Sequence, residues 1–179
     1  MSVVVRQYDP SWGEEFCAAS AMVLDALGTN ATVAHHIGST AIPNIVAKPI
    51  IDMLIVVQDI NSVDARNQAM EDLGYEVKGE YGILKRRYFR KDSRNGTRIQ
   101  HVHVYACDSA QIERHLAFRD FMIAHPNWAA RYSKLKLELA DRHPHSMADY
   151  IAGKDAFIKQ IDELAKVWRR EVITKLSAV

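Results

Sequence analysis

Apolar residues recur at Trp12, Phe16, Ala19, Val23 and Leu27, the spacing of one helical face, and Gly28 ends the pattern. Asp9 supplies a cap and Pro10 suits the first helical position, so a helix is expected between Pro10 and Leu27. Residues 32–37 read as a short strand running into Gly38-Ser39. Pro43 and Pro49 keep the next stretch non-helical. Ile50 to Val57 is apolar on both faces, which predicts a central, buried strand, and one acid, Asp52, interrupts it. A helix is expected from Ser62 to Leu73, with Gly74 as its stop. Tyr75–Lys78, Ile83–Lys91 and Arg98–Ala106 read as strands, the last two joined by a turn around Asn95-Gly96. Beyond them the pattern is helical, with starts at Ser109, at Pro126, and at Ser146 with Asp149 as a capping-box-like pair. This order predicts an α+β domain with helices gathered on one side of a mixed sheet.

Composition narrows the class. The 179 residues suit a single domain, with a helix-and-sheet core over 1–108 and a helical part over 109–179. The apolar share of 48% and the charged share of 25% are ordinary for a globular chain. Lys plus Arg total 23 against 22 Asp plus Glu, and a net charge of +1 argues against a nucleic-acid partner. No stretch is long and apolar enough for a membrane span, and the first residues lack the zones of a secretion signal, so a cytoplasmic address and no membrane partner are expected. Cys17 and Cys107 lie in no metal-like spacing and are expected to be buried small hydrophobes.

The chemistry concentrates near Gly38. A glycine after a strand permits a sharp turn and close approach of a ligand to the backbone. Exposed N–H groups there, the hydroxyls of Ser39 and Thr40, and the charge of Lys48 favour an anion such as phosphate. Asp52 is the stronger clue, because a carboxylate in an apolar strand is costly unless it is paired or binds a cation. The bland alternative is an acid hydrogen-bonded to the loop above it.

A Gly-Ser turn followed by an acid in the next strand is similar to the nucleotidyltransferase signature, in which Gly-Ser holds the triphosphate and strand carboxylates hold magnesium. The runs His36-Ile37-Gly38-Ser39-Thr40-Ala41-Ile42-Pro43 and Ala47-Lys48-Pro49-Ile50-Ile51-Asp52 resemble the GrpB family, a bacterial family of nucleotidyltransferase-like fold. The resemblance continues through Arg87-Tyr88-Phe89, His101-Val102-His103-Val104, Leu116-Ala117-Phe118-Arg119-Asp120, His125-Pro126, Tyr132 with Leu135-Lys136, and Tyr150 with Lys154. It covers nearly the whole chain. It implies a nucleotidyltransferase-like mixed β-sheet with helices on one side and a C-terminal helical part. The ligand it implies is a nucleotide or phosphorylated metabolite, and the activity a metal-dependent transferase. A similar module is fused to dephospho-coenzyme A kinase in some bacteria. One departure favours a catalytically silent ligand-binding module instead. Working nucleotidyltransferases carry acids at i and i+2 on this strand, and here the partner position is Leu54. A single acid does not build a two-magnesium site.

His101 and His103 lie two apart in a strand and share a face. Either can face Asp52, and two imidazoles with one carboxylate favour zinc, iron or another transition metal over magnesium, so that a divalent metal, zinc, manganese or magnesium, is expected without its identity being fixed; otherwise they hydrogen-bond within a polar pocket. Arg87 is the candidate for gripping phosphate, against the alternative of a basic edge strand formed with Arg86 and Arg90. Tyr132 with Lys136, and Tyr150 with Lys154, sit four apart on helical faces. With Arg119 they are candidates for stacking on a base and contacting phosphate, or else they cover the core with their stems.

Overall fold

The computed structural model describes residues 3–176. The first helix, α1 (Ser11–Leu27), starts where Asp9 Oδ1 accepts the Ser11 amide at 2.9 Å. It buries Trp12, Ala19, Val23 and Leu27 of the predicted stripe, with Phe16 partly buried against the same core. Strands β1 (Ala31–Ile37), β2 (Ile51–Val57), β3 (Glu76–Val77), β4 (Arg87–Asp92) and β5 (Arg98–Ala106) form one sheet in the order β1-β2-β5-β4-β3. Only β2 and β5 run parallel; the other pairs are antiparallel. Helix α2 (Asn67–Asp72) lies between β2 and β3. Helices α3 (Ala110–Ala124), α4 (Pro126–Arg142) and α5 (Met147–Leu176) make the C-terminal part. Ser109 and Ser146 cap α3 and α5 as expected, accepting the amides of Gln111 and Asp149 at 3.3 Å each.

Alternation along the strands divides the residues between two faces. Ile51, Met53, Ile55 and Val57 of β2, with Phe89, Val102 and Val104, pack against α1 and α2. Asp52, Leu54 and Val56 point the other way, with His101, His103 and Tyr105 beside them in register. That face carries Ile37, Leu54, Val56 and Tyr105 against Ile112 and Leu116 of α3. The segment between β1 and β2 is clamped to the helical part: Ile42 and Ile45 share a core with Phe121, Met122, Tyr132 and Ile161. Ser133 of α4 donates no proton there but accepts the Val46 amide at 3.1 Å. The helical part therefore closes the end of the sheet where Gly38 and Asp52 lie.

Five expectations are corrected. Helices lie on both faces of the sheet and not on one side, α1 and α2 over the Met53 face and α3 over the Leu54 face, because β2 is apolar on both. Strand β4 starts at Arg87 instead of Ile83, because Arg86 draws the carbonyls of Glu80 and Tyr81 into a loop, with Tyr81 and Lys85 at positive φ (44° and 60°). The strand expected over Tyr75–Lys78 reduces to Glu76–Val77. Asn61–Arg66 is a 3-10 segment and not the start of an α-helix, because Asp59 takes the Asn61 amide and the Ser62 hydroxyl. Cys17 and Cys107 are both exposed: Cys17 falls beside the apolar stripe of α1 and Cys107 follows the end of β5.

Candidate functional site

Gly38 turns the chain at the end of β1 with φ 71° and ψ −172°, a region open almost only to glycine. A Cβ at this position would lie 2.3 Å from Asp52 Oδ2. The glycine is thus needed twice, for the turn and for the carboxylate tucked beneath it. Asp52 sits opposite Ile37 in β1 and opposite His101 in β5. Its Oδ1 accepts from His101 Nδ1 at 2.9 Å. A carboxylate only accepts, so the proton sits on Nδ1 of His101. Burial pushes the Asp52 carboxyl up, but the His101 hydrogen bond and the charges of His101 and Lys48 prevail, and it lies below the usual carboxylate range.

Above Asp52 opens a cavity of about 230 Å³ lined by Ser39, Thr40, Lys48, Ile50, Asp52, His101, Lys136, Tyr150, Ile151 and Lys154. Three elements bring the lysines together: the segment before β2, α4 and α5. Lys136 is buried, and its Nζ donates to Ser39 Oγ at 3.2 Å and to the Val46 carbonyl. Lys154 lies 4.4 Å over the Tyr150 ring, and Lys48 lies 5.7 Å from the same ring with Met147 Sδ at 3.2 Å. Among the described residues none of the three lysines has a carboxylate partner at salt-bridge distance. Burial, and then the charge of Lys154, push Lys136 down to about 7. Burial, followed by the charge of Lys48, pushes Lys154 down to about 8. Burial likewise lowers Lys48, with Asp52 opposing.

His103 stands one row further along the sheet, opposite Leu54 and Tyr88. Burial pushes its imidazole down to about 3, so it is neutral at physiological pH. Asp52, His101 and His103 each offer a donor atom within 4.8 Å of the others. Two imidazoles and a carboxylate match a transition metal such as zinc or manganese better than magnesium. Leu54, fully buried, leaves no second acid for a two-magnesium arrangement.

The structure brings together Gly38, Ser39, Thr40, Lys48, Asp52, His101, Lys136, Tyr150 and Lys154, with His103 beside Asp52 and His101, and places Arg87, Arg119 and Tyr132 outside the cavity lining. Arg87 lies on the opposite face of the sheet, where Nε and Nη2 grip the two Asp64 oxygens at 2.6 and 2.7 Å. Strand alternation puts its neighbours Arg86 and Tyr88 on the Asp52 face instead. Arg119 is not in the cavity lining: it donates to the His36 carbonyl at 3.0 Å and pairs with Asp120, which braces the end of β1 from α3. Tyr132 lies beneath the site, stacked on Phe157, with Lys136 Nζ 4.3 Å over its ring. The Thr40 hydroxyl donates to the Ile50 carbonyl at 3.2 Å and accepts from His36 Nε2 at 3.0 Å, so it is spent on holding the turn. Arg86, expected on a basic edge strand, is buried, and His115 lies 5.8 Å from the His103 ring. Neither carries a periodicity signal that would mark it.

The description "GrpB protein" belongs to the family that matches residues 2–164. The UPF0157 protein YqkA of Bacillus subtilis is 47% identical over 168 residues, which are 94% of this chain and 48% of the relative. The chain thus spans about half the length of that relative. The UPF0157 protein SCO7215 of Streptomyces coelicolor is 33% identical over 95% of this chain and 88% of its own length. The crystal structure of the conserved protein GrpB from Enterococcus faecalis superposes with a TM-score of 0.88 at 43% identity, covering 92% of this chain and 99% of that one. On the strength of a match through sheet, site and helical part alike, this chain belongs to the GrpB family.

Proposed function

We propose that the cavity binds the phosphates of a nucleotide or phosphorylated metabolite, and that the chain is a nucleotidyltransferase-type transferase assisted by one divalent metal. The observation that carries this reading is the trio Lys48, Lys136 and Lys154, gathered without carboxylate partners around Ser39 and over Asp52. Buried ammonium groups repel one another, and a polyanion relieves both the repulsion and the desolvation. At about 230 Å³ the cavity is below the usual span of ligand sites, which suits phosphate groups with the rest of the ligand leaving over α5. Asp52, His101 and His103 would hold the metal, which when bound polarises a phosphoryl oxygen or activates a nucleophile. Lys154 and Lys48 would orient the phosphates, and the hydrogen bond from His101 Nδ1 to Asp52 would leave Nε2 as the atom of that ring available to a metal.

Leu54 favours a second reading, a catalytically silent module that keeps the phosphate pocket. Titration calorimetry with inorganic tripolyphosphate and a nucleotide panel tests the binding common to both. We expect binding that weakens at least about tenfold in Lys154→Ala, the loss of one charge-assisted contact, and that weakens with added salt. Intact protein that binds no tripolyphosphate, nucleotide or coenzyme A fragment would remove both readings. A bound nucleotide turned over to pyrophosphate separates transferase from silent module.

A further inference from the structure

Three rows cross the Asp52 face of the sheet. The first holds Asp52 and His101, the second Leu54, His103 and Tyr88, the third Val56 and Tyr105. Four residues of strand separate the first from the third, roughly 13 Å. Arg86 stands beside this third row, just before β4, and only 6% of it is exposed. Its Nε donates to Glu80 O at 3.2 Å and its Nη2 to Tyr81 O at 2.8 Å. Its Nη1 meets His103 Nδ1 at 3.5 Å, the outer limit of a hydrogen bond, and the guanidinium also interacts with the Tyr105 hydroxyl. Among the described residues no carboxylate pairs with Arg86. A buried guanidinium with five N–H donors and no counter-ion is a costly arrangement unless something anionic completes it.

Its surroundings offer donors and no negative charge. The Tyr105 hydroxyl is buried, in a residue only 1% exposed, and faces the Arg86 guanidinium, while its own proton has no acceptor among the described residues. His115 of α3 reaches the same place, its ring 5.8 Å from His103 and 6.2 Å from Tyr105. Its imidazole carries at least one N–H to donate. The Tyr88 ring, 4.7 Å from the guanidinium, closes the side toward β4.

We propose that Arg86, the Tyr105 hydroxyl and His115 form a second anion site, which receives an oxyanion, carboxylate or phosphate, of a second small molecule. The lysine cavity and this site flank the Asp52, His101 and His103 groups from two sides, as a donor and an acceptor would. The oxyanion accepts from Arg86 Nη1, from the Tyr105 O–H and from the His115 N–H. The inference stands on the Arg86 cluster and holds whether or not the lysine cavity takes phosphate.

The test follows the His115 imidazole proton signal, assigned by its loss in His115→Gln, while intact protein is titrated with inorganic phosphate, with acetate, and with chloride at matched ionic strength. The expected result is a saturable shift with phosphate or acetate beyond that with chloride, and the tighter of the two names the source of the oxyanion. Tyr105→Phe removes a hydroxyl whose proton has no acceptor, so it should fold with a melting temperature close to wild type and bind the anion about tenfold more weakly. Lys154→Gln should leave this shift in place. No saturable shift in the wild type, or a shift that Tyr105→Phe leaves at full affinity, overturns the proposal and leaves a buried water as the partner of Tyr105.

Discussion

Gly38 and Asp52 constrain one another at the level of single atoms. Any side chain at position 38 must occupy a φ of 71° and also displace Asp52 Oδ2 from 2.3 Å. Gly38→Ala should therefore lose roughly 1–3 kcal/mol for the backbone alone, and the Asp52–His101 bond with it; a chemical denaturation curve measures the first. A melting midpoint equal to wild type would show that the turn relaxes without cost. The lysines give a second residue-scale prediction, with its sign fixed by their lowered pKa values. Lys136 titrates at about 7 and Lys154 at about 8 when folded, against an ordinary value of 10.5 when unfolded. Between pH 7 and 9 the unfolded chain holds more protons at these groups than the folded one, so this contribution to stability rises with pH. Anion binding needs the ammonium forms, so tripolyphosphate affinity falls over the same interval. Calorimetry and melts run on one pH series should move in opposite directions, and Lys136→Met should flatten both trends.

The elements show how the site is held and why part of it was readable. Strand β2 declares itself by apolar residues on both faces, and the Gly-Ser turn by its place between a strand and two prolines; both stand where the pattern put them. Helix faces were legible for the same reason: Tyr132 and Lys136, four apart, do share a face of α4. Which face of β4 meets the site was not legible, because Arg86, Arg87 and Arg90 alternate basic residues on both faces and only the register with β5 decides. Arg87 went to Asp64, and the half-exposed acid makes this an ordinary surface-edge ion pair. Arg87→Ala should therefore leave tripolyphosphate affinity within about twofold of wild type and cost at most about 1 kcal/mol of stability. A tenfold loss of affinity would return Arg87 to the ligand side. Each of the cavity lysines was a candidate by its local setting, but their convergence on one cavity carries no local sequence signal. Lys48 and Lys154 are far apart in the chain and meet only because α5 folds back over the segment before β2.

At the scale of the whole molecule, a net charge of +1 conceals a separation of charge. The cavity concentrates three lysines against the single carboxylate of Asp52, while acids elsewhere pair with surface arginines. Metal and anion therefore compete for the influence of one residue. Asp52→Asn preserves size and keeps an oxygen to accept from His101 Nδ1, but removes the charge that attracts a cation. The expected outcome is loss of zinc or manganese uptake, read by elemental analysis after supplying each metal, with a melting temperature close to wild type. Without metal, the same substitution should tighten tripolyphosphate binding, because the carboxylate no longer competes with the ligand for Lys48. If Asp52 serves only as an acceptor for its surroundings, the pattern inverts. Wild-type protein would take up neither metal, and the amide, placing N–H where Gly38 packs against Oδ2, would cost on the order of 1–3 kcal/mol. That result would discard the metal and leave the three-lysine pocket as a binding module.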